Sequence, residues 1–277
     1  MIIASKKETF RILKEHNLIA KKGYGQNFLI NYNTIQEIVK NANINEDTLV
    51  IEIGPGLGAL TQELLTVSKK VIAIEIDKKM VEVLNENLAC DKLEIINQDF
   101  LKINLDEVID KYDEFKDVII VSNLPYYITS DILESIISKQ NKKIKKIVAM
   151  MQKEVGKKLL KKEGKIESYL KVLIDNYCLT KPVIYVSKND FEPRPNVDSV
   201  VLEFNINKDS YSLKENHLKA IKECLNNRRK TLLNTLSYEK EIIVSSLQKL
   251  NLKETLRIEE ISIKQFIEIL DTINNNK

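Results

Sequence analysis

The sequence predicts an α/β fold, a doubly wound, mostly parallel sheet followed by a small C-terminal all-helical domain. Three observations carry this expectation. Short apolar runs alternate with amphipathic stretches from about residue 30 to residue 205, the pattern of a sheet covered by helices on both faces. The first run ends in Gly54-Pro55-Gly56-Leu57-Gly58, and the second closes on an acid, Glu75. Beyond about Asp209 only helical periodicity remains, which predicts a boundary near 205–212 that separates residues 1–207 from 208–277.

The elements follow in order. Residues 1–22 have the pattern of an amphipathic helix with basic edges, and residues 21–27 that of a loop. Asn33 and Gln36 have capping-box spacing, and Ile35, Ile38, Val39 and Ala42 form one face of the helix behind them. Strands are expected at 49–53, 71–74, 93–96, 118–121, 147–151, 183–186 and 200–204. Helices are expected over 57–67, 80–88, 129–138, 153–162 and 168–178. Leu218, Ile221 and Leu225, then Ile243, Leu247 and Leu250, are the apolar stripes of the C-terminal helices. There is no internal repeat and no low-complexity stretch.

With 277 residues, 43% hydrophobic and 30% charged, the chain has the balance of a globular protein large enough for one α/β core and an appendage. No apolar run approaches the ~20 residues of a membrane span, and no signal peptide is expected at the N-terminus. Cys90, Cys178 and Cys224 are odd in number and far apart, so neither a disulfide framework nor a metal site is expected, and the plain expectation is a reducing cytoplasm. His16 and His217 read as ordinary surface or packing residues. Residues 139–165 hold 11 lysines against Glu154 and Glu163, so the remainder of a chain of net charge +3 is acidic. Such a block is either a docking face for phosphate or a set of solvated helix faces.

Strand, Gly54-x-Gly56-x-Gly58, helix, strand, Glu75 is a nucleotide-binding arrangement. Glycines allow a sharp turn and close backbone approach, and the following helix N-terminus offers unpaired N–H groups. A carboxylate 21 residues after Gly54 can accept both hydroxyls of a ribose. The same residues satisfy an NAD fingerprint, so a dehydrogenase stays open at this point, whereas a Walker-type loop is excluded because no Gly-Lys-Ser/Thr follows. Asn123-Leu124-Pro125-Tyr126 comes directly after the strand at 118–121, where an open α/β sheet binds ligands. Its chemistry suits an aromatic amine. Asn123 and the Leu124 carbonyl can accept the two N–H bonds and aim the nitrogen lone pair, Pro125 stiffens the turn, and Tyr126 offers a stacking face. Orientation and electrostatics would supply most of the rate.

These segments, in this order, resemble the ribosomal RNA adenine N6,N6-dimethyltransferases. The resemblance rests on Gln26-Asn27-Phe28-Leu29, the run from Glu52 to Thr61, Glu75-Ile76-Asp77, Gln98-Asp99-Phe100 and Asn123-Leu124-Pro125-Tyr126-Tyr127-Ile128-Thr129. It extends through Gln152-Lys153-Glu154-Val155, Phe191-x-Pro193-x-Pro195-x-Val197-Asp198-Ser199 and Arg228-Arg229-Lys230-Thr231-Leu232. It implies a sheet of the class I methyltransferase type that binds S-adenosyl-L-methionine. Asn27, Leu29, Gly54, Gly56, Glu75, Asp99 and Asn123 would contact that cofactor, and Tyr126 and Phe191 would stack on a flipped adenine. The substrate implied is ribosomal RNA in a small subunit or its precursor, bound by a cytoplasmic monomer with no membrane partner. The alternative branch methylates large-subunit RNA. Lys142, Lys143, Lys145, Lys146, Lys157, Lys158, Lys161 and Lys162, with Arg228, Arg229 and Lys230, are the candidate RNA contacts. Among departures from the family pattern, Ser122 stands where glycine is usual.

Overall fold

A computed structural model describes residues 2–19, 26–161, 164–206 and 209–275. Its elements in chain order are α1 (Lys6–Glu15), β1 (Phe28–Leu29), α2 (Tyr32–Ala42), β2 (Thr48–Ile53), α3 (Ala59–Val67), β3 (Lys70–Glu75), α4 (Lys78–Leu88) and β4 (Leu93–Asn97). There follow α5 (Leu105–Asp110), β5 (Asp117–Asn123), α6 (Thr129–Lys139), β6 (Ile144–Gln152), α7 (Lys153–Leu160), α8 (Tyr169–Tyr177), β7 (Cys178–Val186), β8 (Phe191–Glu192) and β9 (Ser199–Ile206). The chain closes on α9 (Glu215–Asn226), α10 (Lys240–Lys249) and α11 (Ile263–Asn275).

The main sheet has seven strands in the order β4-β3-β2-β5-β6-β9-β7. β4, β3, β2, β5 and β6 run parallel, and β9 pairs antiparallel with β6. Every residue of β2 is buried, as a strand covered on both faces must be. Val50, Ile119, Val121, Val148, Met150 and Val201 share a cluster with Ile35 and Ile38 of α2 and Leu60 and Leu64 of α3. Their neighbours Leu49, Ile51, Ile120, Ala149 and Leu202 are equally buried on the other face. β1 and β8 form a separate two-stranded pair.

The chain divides into two compact units, Met1–Leu160 with Leu179–Ile206, and Lys161–Cys178 with Asn207–Lys277. The single boundary expected near residue 207 is therefore corrected. The segment carrying α8 joins the helical unit because Ile166 and Val172 bury their side chains with Ile221, Leu247, Phe266 and Leu270. Local periodicity marks α8 as a helix but does not say which core receives it. The N-terminal helix is also shorter than expected, starting at Ser5, whose hydroxyl accepts from Glu8 N. Part of the expected loop at 21–27 lies outside the described residues, as does Lys162. The expected cap of α2 moves from Asn33 to Asn31, whose side chain accepts from Thr34 N. The helix α5 has no counterpart in the expectation. No helix among the described residues is long and apolar enough to cross a membrane.

α7 packs against β6 and β9 through Gly156. A Cβ built there would overlap Cγ1 of Val200, a stiff β-branched side chain in a fully buried strand position. Gly156→Ala is expected to destabilise the fold by about 1–3 kcal/mol, the usual cost of overpacking a core. Urea denaturation checks this, and an unchanged midpoint would show that α7 moves away from β9 at no cost.

Candidate active site

The carboxyl ends of β2, β3 and β5 open into a cavity of about 190 Å³. It begins at the turn after β2. Gly54, Gly56 and Gly58 have φ values of 67°, 57° and 87°, a left-handed region that side chains with a Cβ rarely adopt. Gly54 N donates to Ile74 O at 2.9 Å, which draws the turn against β3, and Gly58 caps α3. The loop backbone lines the cavity together with Glu75 and Asp99.

Glu75 is 5% exposed. Its Oε2 accepts from Gly56 N at 3.1 Å and its Oε1 from Asp77 N at 2.8 Å. Burial pushes its carboxyl above the usual range, and those backbone donors oppose the rise. Asp99 is half-buried at the next strand end, and its Oδ1 accepts from Leu101 N at 3.1 Å. The four expected positions Gly54, Gly56, Glu75 and Asp99 therefore meet in one place, as the strand order requires.

β5 brings the remaining groups. Asn123 donates through Nδ2 to the Asn27 carbonyl at 3.3 Å, while its Oδ1 is buried without a partner. Asn27, Leu29, Leu124, Pro125 and Tyr126 line the same cavity. Leu124 N donates to Met150 O at 3.1 Å, which ties the turn to β6. The Tyr126 hydroxyl lies 2.7 Å from Oγ of Ser199, a fully buried residue at the start of β9. The unusual Ser122 has a role of its own, donating to the Ile53 carbonyl at 2.5 Å and linking the ends of β5 and β2.

Phe191 departs from the expectation. It pairs opposite Leu29 in the β1–β8 ladder, is 2% exposed, and belongs to the core cluster rather than the cavity lining. The ladder turns the ring inward, so it presents no face to a base in this arrangement.

Three cavity features were not legible from the sequence. Glu52, 1% exposed on β2, lines the cavity and has an Oε2 without a hydrogen-bond partner. Burial pushes its carboxyl up to about 8, with the nearby Glu75 charge adding to the rise and the Thr61 hydroxyl opposing it. A charged residue inside an otherwise apolar strand was the available signal. Tyr127, 52% exposed, lines the cavity beside Tyr126. Ile3 and Thr9, from the N-terminal segment, line it too, and no local pattern marks a contact so distant in sequence.

The lysine block does not form one face. Lys142, Lys143, Lys145 and Lys146 lie at the amino end of β6, about 25–30 Å along a nine-residue strand from its cavity end. Lys143 pairs with Asp113 at 2.9 Å, Lys145 with Asp117 at 4.0 Å, and Lys146 with Glu203 at 4.0 Å. Lys146 also donates to the carbonyls of Asn41 and Ala42 at 3.3 and 3.2 Å, which end α2. For Lys143, Lys145 and Lys146 the ion-pair role wins, because their partners come from the same end of the sheet, and Lys142 shares that remote end. Lys157 and Lys158 lie on α7, beyond the cavity end of β6, and both are exposed. Lys161 falls in the helical unit, where it pairs with Glu167 at 3.4 Å. Arg228, Arg229 and Lys230 are exposed just after α9, with Arg228 paired to Glu259 at 3.1 Å.

Residues 17–275 match the family model described as ribosomal RNA adenine dimethylase. A small-subunit rRNA methyltransferase A from Bacillus pumilus is 37% identical over 98% of this chain and 97% of its own length. One from Mycoplasmopsis synoviae is 42% identical over 92% and 97%. Among solved structures, a dimethyladenosine transferase from Plasmodium falciparum superposes with a TM-score of 0.70 at 26% identity, covering 90% of this chain and 98% of that one. A 23S rRNA methyltransferase shares the fold, with a TM-score of 0.63 at 24% identity over 90% of this chain and all of that one.

The buried acid has a measurable consequence. A carboxyl whose pKa rises on folding from its ordinary value of 4.5 to about 8 holds its proton longer in the folded chain than in the unfolded one. Its contribution therefore lowers stability as pH rises from about 4.5 toward 8, and is absent below that window. Glu52→Gln, which cannot ionise, is expected to gain stability over the parent as pH rises from 5 to 8. Equal pH dependence of the two urea midpoints would show that Glu52 ionises freely.

Proposed function

The chain belongs to the ribosomal RNA adenine dimethylase family and is a methyltransferase of rRNA adenines, and from that premise we propose that it takes its methyl groups from S-adenosyl-L-methionine and delivers them to N6 of adenines in small-subunit RNA. The observation that carries the proposal is that two residues lining one cavity with the glycine turn and Glu75 each bury a polar oxygen without a partner, Glu52 Oε2 and Asn123 Oδ1. Unpaired buried polar groups cost free energy, and a ligand that offers them hydrogen-bond partners removes that cost. Family membership sets the dehydrogenase alternative aside. The small subunit is favoured over the large because the curated relatives that match over nearly their whole length act on it.

The residues fit such a cofactor. A Cβ at Gly56 would stand 3.3 Å from the Phe28 ring, a tight contact, and the φ of 57° there favours glycine as well. Glu75 would accept the ribose hydroxyls, Asp99 the adenine amine, and Asn27 and Leu29 would flank the methionine end. When bound, S-adenosylmethionine supplies a methyl group on a sulfonium centre, an electrophile that needs no metal. Asn123 Oδ1 and the Leu124 carbonyl accept the two N–H bonds of the target amine and turn its lone pair toward the cofactor. Asn123 carries no basic atom, so it orients the amine without taking its proton. The hydrogen bond from Tyr126 to Ser199 fixes the tyrosine ring as a face for the base. Lys157 and Lys158, with Arg228, Arg229 and Lys230, remain the candidate phosphate contacts.

The direct test is transfer of tritiated methyl groups from S-adenosylmethionine into unmethylated small-subunit particles, and no incorporation would overturn the proposal. Glu75→Gln is expected to weaken cofactor binding by about 2–3 kcal/mol through loss of charge-assisted hydrogen bonds. Calorimetry checks it, and unchanged affinity would remove Glu75 from the ribose site. Asn123→Ala is expected to slow single-turnover methylation at saturating cofactor by about 10²-fold, the scale of one lost preorganised contact. A near-normal rate would contradict its orienting role.

A further inference from the structure

The cavity end of the sheet continues from Tyr126 outward to the edge strand β7. Ser199, which holds the Tyr126 hydroxyl, follows Asp198. The Asp198 carbonyl accepts from Lys153 N at 3.0 Å, and its carboxylate receives Lys153 Nζ at 3.4 Å and Lys188 N at 3.2 Å. Lys153 opens α7, and its ammonium stands 5.9 Å from the centroid of the Tyr185 ring. Lys157 lies one helical turn further along α7, exposed and paired with Glu154 at 2.9 Å. Tyr185 itself is 57% exposed near the end of β7. A line of contacts thus runs from the base-binding side of the cavity to an uncovered aromatic ring flanked by two lysines.

We propose that Tyr185, with Lys153 and Lys157, is a docking platform for the single-stranded RNA next to the target adenine, one base stacking on the ring and phosphates meeting the ammonium groups. The proposal rests on the methyltransferase assignment of the cavity. An adenine taken into a buried site leaves its neighbours outside, and their strand must cross the rim. Stacking on an aromatic ring beside lysines holds such a strand without reading its sequence. A protein strand added to the edge of β7 is the competing occupant. Pro182, in the middle of that strand, has no N–H to donate, and exposed Lys181 precedes it, which are the devices that keep a sheet edge from pairing. The ammonium groups of Lys153 and Lys157, whose partners Asp198 and Glu154 share the exposed rim, with exposed Lys158 on the same helix, favour a polyanion instead.

The test measures binding of the full-length chain to unmethylated small-subunit particles over a range of salt concentrations, with calorimetry of S-adenosylmethionine binding alongside. Tyr185→Ala is expected to weaken particle binding by about tenfold or more, while Tyr185→Phe, which keeps the ring, retains it. Lys157→Glu is expected to lower the slope of log affinity against log salt by about 0.7–0.9 or more. Lys116→Glu, an exposed charge change at the amino end of the sheet, should leave the slope as it is. Cofactor affinity should stay the same in all four. Wild-type affinity and slope in both Tyr185→Ala and Lys157→Glu, in a preparation that transfers methyl groups, would overturn the platform and leave the catalytic assignment standing. Loss of particle affinity in Tyr185→Ala with Phe rescue supports the platform even if methyl transfer fails, in which case the catalytic assignment alone falls.

Discussion

The Glu75 carboxylate, accepting one N–H from the glycine turn and another from the start of the next helix, joins two strand ends into one binding edge. Much of the site depends on that tie. Gly56 can donate to it only because its backbone is left-handed, and the same turn starts α3, whose Leu60 and Leu64 enter the core. The Gly54 bond to Ile74 O and the Ser122 bond to Ile53 O bring β3 and β5 to the same level. Asn123 is thereby set to donate to the Asn27 carbonyl beside the cavity. The tie leaves a carboxylate buried, and burial raises its proton affinity, so the edge is built from groups that gain by receiving a hydrogen-bonding ligand.

Sheet polarity then decides where charge can act. In a parallel sheet all the functional turns fall at the carboxyl end, and lysines at the amino end are remote however basic the local sequence. Lys143, Lys145 and Lys146 meet acidic partners there and are neutralised. The lysines of α7 follow the same strand at its other end, on the side of the sheet that carries Asp198, Tyr126 and, near the end of β7, Tyr185. One strand therefore separates a single basic block into a half remote from the cavity and a half at its rim, where Lys153 and Lys157 also have acidic partners, Asp198 and Glu154.

The elements were legible where local pattern decides them. The Ile35, Ile38, Val39 and Ala42 stripe marked α2, and buried strands showed as apolar runs, because periodicity records which face meets the core. Caps were less legible, since Asn31 and Asn33 are equally good capping residues by type and only the path of the chain after β1 selects between them. α5 was missed because a single short turn gives too few residues for a period.

For the candidate site, residue pattern by itself singled out the glycine turn, Glu75 and the Asn123 to Tyr126 tetrapeptide, and the family resemblance added Asp99. Each lies at the end of a strand, and strand ends in an alternating α/β chain must converge on one edge. The sequence also determined the family, because a series of separate motifs occurs in order. Only the tertiary structure decided that Phe191 faces inward, that Glu52 and the N-terminal Ile3 and Thr9 line the cavity, and that α8 belongs to the helical core. These outcomes depend on pairings between residues far apart in the chain, Leu29 with Phe191 and Ile166 with Phe266. Burial and register there come from which distant surface closes over a segment, and no local spacing encodes that choice.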